Sequence, residues 1–202
     1  MDEQIFFNLP KRERIEYLRM RGFNTPRLIK EIKTPKELII FESENKGKKY
    51  SIRSQVSNSK KRSEMGPHFP NVDISLIVSD LFNSLKKGYD LLVYEPIDPK
   101  LCERKGNILI DKIKETFLVE FSMGSGTVRS LESEHPNLIR EIKGPLRDWV
   151  NKEKNEDFLF AGHPLVKMLA IPFKCFILEF SEYSIPVGIK KMKGIFWELR
   201  KG

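Results

Sequence analysis

The chain has 202 residues, of which 40% are hydrophobic and 32% are charged, and its formal net charge is +8. A chain of this length buries a core large enough to fold without disulfides or a structural metal. The two cysteines, Cys102 and Cys175, are widely separated, which argues against a cysteine-ligated metal site and favours a reducing, cytoplasmic setting. No apolar run approaches the ~20 residues of a membrane span, so no membrane partner is expected. The abundance of Lys, Arg and Glu is typical of proteins adapted to high temperature.

The first 54 residues are predicted to form a helix followed by strands. Apolar residues recur at spacings of three and four over 10–21, which predicts a helix, and Gly22 is suited to end it in a left-handed conformation. The apolar run at 37–41 predicts a strand. After a lysine-rich turn, the alternation at 50–54 predicts another strand.

The middle of the chain is predicted to contain a long loop, a helix and a buried strand. Residues 55–70 are polar and lack periodicity, which indicates a loop, and long loops in compact domains are commonly functional or disordered. Apolar residues on one face predict a helix over 75–85. The run at 90–97 predicts a buried strand that stops at Pro96.

The rest of the chain is predicted to be rich in strands. Two strands are expected at 106–110 and 116–121, then a helix at 138–150 that Gly144-Pro145 interrupts, and finally a β-hairpin built from 173–180 and 194–199. Because strands outnumber helices and short turns join several of them, the pattern predicts an α+β fold with largely antiparallel sheets and flanking helices.

Two acidic residues lie inside apolar runs near the end of the chain. Glu179 belongs to one strand of the predicted hairpin and Glu198 to the other. Burying a carboxylate is costly unless a partner or a metal compensates it. On paired strands the two carboxylates could bind one Mg²⁺, which accepts carboxylate and phosphate oxygens, and the neighbouring Arg200 strengthens this interpretation. The alternative is that both carboxylates point to solvent.

Two other segments carry residues suited to phosphate. Arg53 ends a strand directly before the polar loop, where its guanidinium could donate two parallel hydrogen bonds to a phosphate, although an exposed surface arginine explains it too. In the glycine-rich segment from Glu120 to Arg129, glycines would let the backbone approach a phosphate and Arg129 would neutralise its charge. A plain hairpin turn is the alternative for this segment.

The strand that breaks at Pro96 is a candidate adenine site. The break leaves backbone groups near Glu95 unpaired, and these could bind the edge of an adenine ring while Ile97 packs against its face. An ordinary strand end explains the proline equally well. The three histidines, His68, His135 and His163, have no ligand spacing to one another and lie beside prolines, which favours turns over a zinc site.

In order along the chain, these segments resemble the nucleotide-binding domain of the phosphoenolpyruvate synthase and pyruvate phosphate dikinase family, which has the ATP-grasp fold. Residues 21–26 are similar to the turn after the family's early helix, and Ser51-Ile52-Arg53-Ser54 is similar to its Val-Arg-Ser strand. Residues 65–67 resemble the loop that covers the nucleotide. Residues 91–97 fall at the adenine-binding hinge, and 120–128 resemble the Gly-Leu-Gly-Glu stretch.

The closing hairpin carries the most specific part of the resemblance. Leu178-Glu179-Phe180 looks like the family's metal-binding glutamate, and 195–200 looks like its Leu-Gln-x-Arg strand, with Glu198 in place of glutamine. The resemblance implies ATP and Mg²⁺ as ligands, held in a cleft between two small lobes, 1–88 and 89–202. The implied metal ligands are Glu179 and Glu198, the implied catalytic arginines are Arg53 and Arg200, and the implied nucleotide contacts are Arg53, Glu95, Ile97, Glu120 and Arg129.

The sequence therefore predicts an ATP- and Mg²⁺-binding protein that acts as a phosphotransferase (a kinase-like transferase) or a ligase on a small-molecule or protein acceptor. Two alternatives remain open. The basic charge suggests a nucleic-acid-binding protein, although no basic stripe is interleaved with exposed aromatic rings. A non-catalytic interaction module that keeps a nucleotide pocket is the other alternative.

Overall fold

The structure is a computed structural model in which helices and strands form two compact units. The residues that it describes are 2–56, 66–123, 140–152, 165–188 and 192–202. None of the helices within these ranges combines the length and apolarity that a bilayer crossing requires.

Six helices and nine strands are found within the described ranges, together with two short 3₁₀ turns at Ile74–Leu76 and Pro99–Leu101. In chain order the elements are α1 Glu3–Phe7, α2 Lys11–Met20, β1 Leu28–Ile32, α3 Pro35–Glu44, β2 Lys49–Val56, β3 His68–Asp73, α4 Val78–Lys86, β4 Tyr89–Tyr94, β5 Cys102–Asp111, β6 Thr116–Met123, β7 Arg140–Pro145, α5 Leu146–Lys152, α6 Leu165–Leu169, β8 Cys175–Val187 and β9 Met192–Lys201.

Each unit contains one antiparallel sheet. The first unit, made of Met1–Thr25, Lys100–Val187 and Lys191–Gly202, contains a five-stranded sheet in the order β7-β6-β5-β8-β9. The second unit, made of Pro26–Pro99 and Gly188–Lys190, contains a four-stranded sheet in the order β1-β4-β2-β3. The α+β class with antiparallel sheets and flanking helices is thereby confirmed. The expected lobes 1–88 and 89–202 stay a prediction, and the two compact units divide the chain at different points.

The five-stranded sheet has one apolar and one polar face. Side chains alternate between the two faces of a strand, and Val119, Phe121, Leu178 and Phe180 all belong to the core cluster of the first unit. Helices α1 and α2 contribute Phe6, Tyr17 and Leu18 to the same cluster. The intervening positions of β6 and β8 project from the other face.

Local patterns located most elements correctly. The helices predicted at 10–21 and 75–85 correspond to α2 and α4, and the predicted terminal hairpin is formed by β8 and β9. The helix predicted at 138–150 is wrong for its first part, where β7 pairs with β6, and right for α5, which starts directly after Pro145. The loop predicted at 55–70 is shorter, since β2 and β3 enter it from both ends, and its residues 57–65 lie outside the described ranges.

The strand predicted at 37–41 is wrong, because this segment lies within helix α3. A capping box starts the helix: the Thr34 hydroxyl accepts a hydrogen bond from the Glu37 amide, and the Glu37 carboxylate accepts one from the Thr34 amide. Pro35 at the first helical position favours the same conformation. Hydrogen bonds from the amides of Lys33 and Thr34 lower the pKa of Glu37, so its stabilising contribution is present above the ordinary carboxyl pKa and is lost as the pH falls below it.

We expect Thr34→Ala to lower the free energy of unfolding by about 1 kcal/mol, because it removes the acceptor for the Glu37 amide. Urea denaturation measures this loss. Thr34→Ser keeps the hydroxyl and serves as the control, which should unfold close to wild type. An alanine variant as stable as the serine variant would show that the cap contributes nothing.

Candidate functional site

A row of polar side chains crosses the polar face of the five-stranded sheet. The strand register pairs Glu141 with Glu120, Glu120 with Asn107, Asn107 with Glu179, and Glu179 with Glu198. Directly paired residues of antiparallel strands project from the same face. Strands are spaced by about 4.8 Å, so the row of five extends over roughly 20 Å. Four carboxyl groups and one amide, contributed by all five strands, therefore share one surface.

Two cations from helix α2 hold the carboxylate at the β9 end of this row. Lys11 Nζ lies 2.7 Å from Glu198 Oε2, and Arg14 Nη2 lies 2.6 Å from Glu198 Oε1. The Glu198 side chain is only 11% exposed. Both carboxylate oxygens are thus compensated by charge-assisted hydrogen bonds, which offsets the desolvation of Glu198.

Arg200 reaches from β9 across β8 to the central strand β5. Its Nη2 donates a hydrogen bond of 2.7 Å to Asn107 Oδ1, and Asn107 is 7% exposed. The Nε–H of Arg200 is buried and has no hydrogen-bond partner within the described ranges. A buried guanidinium donor without a partner is the arrangement that an anionic oxygen of a ligand would satisfy.

Strand β6 carries two buried polar groups on the same face. Glu120 is 8% exposed and Ser122 is 7% exposed. Neither Glu120 Oε2 nor Ser122 Oγ has a hydrogen-bond partner among the residues that the structure describes. Burial raises the pKa of Glu120, and the negative charge of Glu141 raises it further. Glu141 itself lies 2.7 Å from the Lys143 ammonium.

Three of the other predicted nucleotide contacts, Arg53, Glu95 and Ile97, belong to the second unit. Glu95 is fully buried directly after β4: its Oε1 accepts a 2.8 Å hydrogen bond from the Arg27 amide, and its own amide donates to the Arg27 carbonyl at 3.0 Å. A Cβ at Gly188 (φ 73°) would lie 2.9 Å from Glu95 Oε2, so the glycine gives this carboxyl group the space it occupies. Glu95 therefore holds together the chain around the end of β4.

The amide of Ile97 is also used within the second unit. It donates to Ser51 Oγ at 3.3 Å, and the Asn71 amide donates to the same oxygen at 3.3 Å. Asn71 adopts φ 48°, an uncommon conformation outside glycine, at an irregularity of the β2–β3 pairing. Adenine binding at 95–97 stays a prediction, and it would have to use carbonyl groups rather than the amides of Glu95 and Ile97.

The sequence prediction found some of the clustered residues and missed others. The structure brings Glu120, Glu179, Glu198 and Arg200 onto one face of one sheet, whereas Arg53 lies on β2 in the second unit, paired with His68 and Leu92. Arg129 lies outside the described residues. The residues missed were Lys11, Arg14, Asn107 and Ser122. A polar residue within a buried strand was the available signal for Asn107 and Ser122, and it is the same signal that singled out Glu179.

The donor set at the Glu179–Glu198 pair suits Mg²⁺, a cation that proteins commonly bind through one or two carboxylates while phosphates and water complete the shell. Within the described part of the chain there is no group of three or more His, Cys, Asp or Glu side chains that could hold a metal by themselves. Because Lys11 and Arg14 hold both oxygens of Glu198, a metal bound to Glu198 would have to displace one of these cations or share an oxygen with it.

We expect Glu198→Gln to lower the free energy of unfolding by about 2 kcal/mol, because it leaves two half-buried cations without a counter-charge. Glu16→Gln is the matched control: Glu16 pairs with Arg19 on the same helix at 2.6 Å but is 49% exposed, so its loss should cost less than about 1 kcal/mol. Chemical denaturation of both variants measures the difference. Equal costs would show that burial does not strengthen the interaction of Glu198 with α2.

The fold resembles those of several solved structures at low sequence identity. The macrocyclase MdnC from Microcystis aeruginosa, bound with precursor peptide MdnA, aligns over 96% of this chain with a TM-score of 0.50 and 14% identity. The D-cycloserine synthetase DcsG aligns over 98% with a TM-score of 0.51 and 10% identity. ACD1 from Ca. Korarchaeum cryptofilum, in complex with coenzyme A, aligns over 95% with a TM-score of 0.50 and 15% identity.

The chain spans 52% of MdnC and 63% of DcsG, but 93% of ACD1. No protein-family model and no curated protein matches the sequence. The narrower resemblance to phosphoenolpyruvate synthase and pyruvate phosphate dikinase stays a prediction. Together, the two antiparallel sheets and these structural neighbours show that the chain has an ATP-grasp-like α+β fold.

Proposed function

We propose that this chain binds ATP with Mg²⁺ on the polar face of the five-stranded sheet and uses ATP to activate a carboxylate, as an ATP-dependent ligase. The observation that carries the proposal is the polar row, where Glu179 and Glu198 lie on paired strands and Arg200 presents a buried Nε–H without a partner in the described ranges. The ATP-grasp-like fold supports it, as do the activities in the names of two neighbours, a macrocyclase and a D-cycloserine synthetase.

Arg200 is proposed to bind the phosphoryl group that is transferred. Its Nη2 bond to Asn107 fixes the plane of the guanidinium, so that the remaining donors are oriented before a ligand arrives. A preorganised donor stabilises charge that develops on the phosphoryl oxygens without reorganising during the reaction. Arg53 and Arg129 are proposed as further phosphate contacts, and the segment at Glu95 and Ile97 as the adenine contact.

Glu179 and Glu198 are the residues that would hold Mg²⁺. Bound there, the metal would neutralise charge on the phosphate oxygens. Lys11 and Arg14 keep the Glu198 carboxylate in place through a charge-assisted bond to each oxygen. The same two cations add positive charge at the β9 end of the row, which favours a polyanion on this side of the sheet.

The proposed reaction forms an acyl phosphate. An oxygen of the acceptor carboxylate bonds to the γ-phosphorus of ATP, the bond from this phosphorus to the bridging oxygen breaks, and ADP leaves with the electron pair. Negative charge moves from the attacking carboxylate to the ADP oxygens, and Arg200 is proposed to stabilise it throughout. Loss of one such donor commonly costs about 3 kcal/mol in the transition state, roughly a hundredfold in rate.

The acceptor is proposed to be a peptide or a small carboxylic acid. A peptide is suggested by MdnC, which was solved with its precursor peptide. A non-catalytic nucleotide-binding module is the second candidate, and it is favoured by the ion pairs that already occupy both oxygens of Glu198. Both candidates bind ATP, but only the ligase would turn it over.

We expect Glu179→Gln to abolish Mg²⁺-dependent ATP turnover and to weaken binding of a non-hydrolysable ATP analogue only when Mg²⁺ is present, because the substitution removes a metal ligand and preserves the size of the side chain. Calorimetric titration of the full chain with and without MgCl₂ measures the binding, and release of ADP measures the turnover. The control is Glu103→Gln, which changes an exposed glutamate of β5 outside the polar row.

Each outcome separates the candidates. Binding with turnover that Glu179→Gln removes supports the ligase, and binding without turnover supports the non-catalytic module. No binding of any nucleotide by wild type would contradict both. Metal-dependent binding that is equal in the Glu179→Gln and Glu103→Gln variants would show that the metal lies elsewhere.

A further inference from the structure

We propose that Glu120 and Ser122 bind the amino group of the nucleophile that the ligase joins to its activated carboxylate. The inference names the second substrate class of the site, an amine, and it rests on the proposed function. It starts from two buried groups on β6, and it assigns to the amine the glutamate that the family resemblance implied as a nucleotide contact.

The two side chains form a small polar strip that faces away from the core. Glu120 and Ser122 are two residues apart on β6, so they project from the same face. Phe121 between them and Val119 before them project from the opposite face and pack in the core cluster. Both side chains are more than nine-tenths buried, and Glu120 Oε2 and Ser122 Oγ have no partner among the described residues. Buried polar atoms of folded proteins are nearly always hydrogen-bonded, and leaving one unpaired costs about 1–3 kcal/mol. The strip is therefore suited to a ligand that supplies the missing hydrogen bonds.

The chemistry of the strip selects an amine. An ionised carboxylate only accepts hydrogen bonds, and a hydroxyl both accepts and donates. An ammonium group offers three donors and a positive charge, so it can satisfy Glu120 and Ser122 together. An anion would be repelled by Glu120 and Glu141, and a ligand hydroxyl supplies a single donor.

The electrostatic surroundings agree with a positive ligand. The pKa of Glu120 is raised by its burial and by the charge of Glu141 on β7, because both effects disfavour the ionised carboxylate. Three cations share this face. Lys143 on β7 is paired with Glu141, Lys105 lies on β5 with its Cα paired with that of Ser122, and Arg200 is hydrogen-bonded to Asn107, the residue paired with Glu120. A cation bound at the strip would supply the compensation that these groups leave incomplete.

The strip lies beside the proposed phosphoryl site. Asn107 is paired with Glu120 and accepts the hydrogen bond from Arg200, so one strand spacing, about 4.8 Å, separates the residue that holds the arginine from the residue that would hold the amine. A donor-rich end and an acceptor-rich end of one row would thus bind the phosphate and the amine of the same reaction.

The ligation step begins when the bound ammonium gives one proton to the Glu120 carboxylate, which frees the lone pair of the nitrogen. The lone pair forms a bond to the carbonyl carbon of the acyl phosphate, and the bond from that carbon to the phosphate oxygen breaks. The phosphate leaves with the electron pair and takes the second proton from the nitrogen. A carboxyl group with a raised pKa is a better proton acceptor near neutral pH than an ordinary one.

The direct test titrates the isotope-labelled full chain, without nucleotide, with glycinamide and with N-acetylglycinamide, and follows backbone amide signals of β6 by NMR. We expect glycinamide to shift these signals and N-acetylglycinamide, whose amine is blocked, not to shift them. Glu120→Gln should weaken glycinamide binding at least tenfold, Ser122→Ala by a few-fold, and the exposed control Glu103→Gln not at all. Equal binding of the two probes, or an unchanged affinity of the Glu120→Gln variant, would overturn the proposal.

The test also separates this proposal from the proposed function. If the ATP analogue binds and glycinamide does not shift β6, the amine site is wrong and ATP binding stands. If glycinamide binds through Glu120 and no nucleotide binds, the strip is an amine site and the ligase assignment is wrong.

Stability against pH gives a second readout of Glu120. Because its pKa is raised in the folded state, wild type should lose stability as the pH rises from the ordinary glutamate pKa through the raised one. Glu120→Gln removes this loss, so the variant should be at least as stable as wild type at neutral pH, as urea denaturation between pH 4 and about 8 can show. A variant that is less stable than wild type at neutral pH would show that Glu120 makes a structural bond, and it would contradict a role in ligand binding.

Discussion

The register of β5, β6, β8 and β9 is the constraint on which the candidate site depends. A slip of one residue in any of these strands would turn its polar side chains into the core and its apolar ones out. The backbones of β5 and β6 approach each other closely at Gly106, next to Asn107. A Cβ at Gly106 would lie 1.9 Å from the Glu120 carbonyl oxygen. The backbone of β6 can approach β5 only because that side chain is missing, and the approach places Glu120 beside Asn107.

Charge is distributed unevenly along the polar row, and this gives its two ends different chemistry. At the β9 end, Lys11 and Arg14 compensate Glu198, and Arg200 adds a further positive charge. At the β6 end, Glu120 remains only weakly compensated. One continuous surface therefore offers an environment for anions and an environment for cations, which the proposed ligation would require.

Sequence patterns predicted the elements that local periodicity determines and failed where other interactions decide. The one-sided apolar pattern located α4 correctly. The apolar run at 37–41 fits a buried strand and a helix equally well, and the Thr34–Glu37 capping box with Pro35 decides for the helix. Carboxylates in apolar strands identified Glu179 and Glu198, whereas the contribution of Asn107 depends on strand register. The role of Lys11 depends on a contact between residues 187 positions apart, which no local pattern reports.

The contacts between α2 and β9 affect the order in which the two units fold during synthesis. Lys11 and Arg14 meet Glu198 at sequence separations of 187 and 184 residues, and nearly all of the second unit is encoded between them. On the ribosome, α2 emerges first and has to remain without its carboxylate partner until β9 is translated. The second unit, continuous apart from Gly188–Lys190, can reach its native contacts earlier, as segments with nearby contacts generally do. The polar face would then form late, so a nascent chain cannot assemble the whole polar row before β9 has been translated.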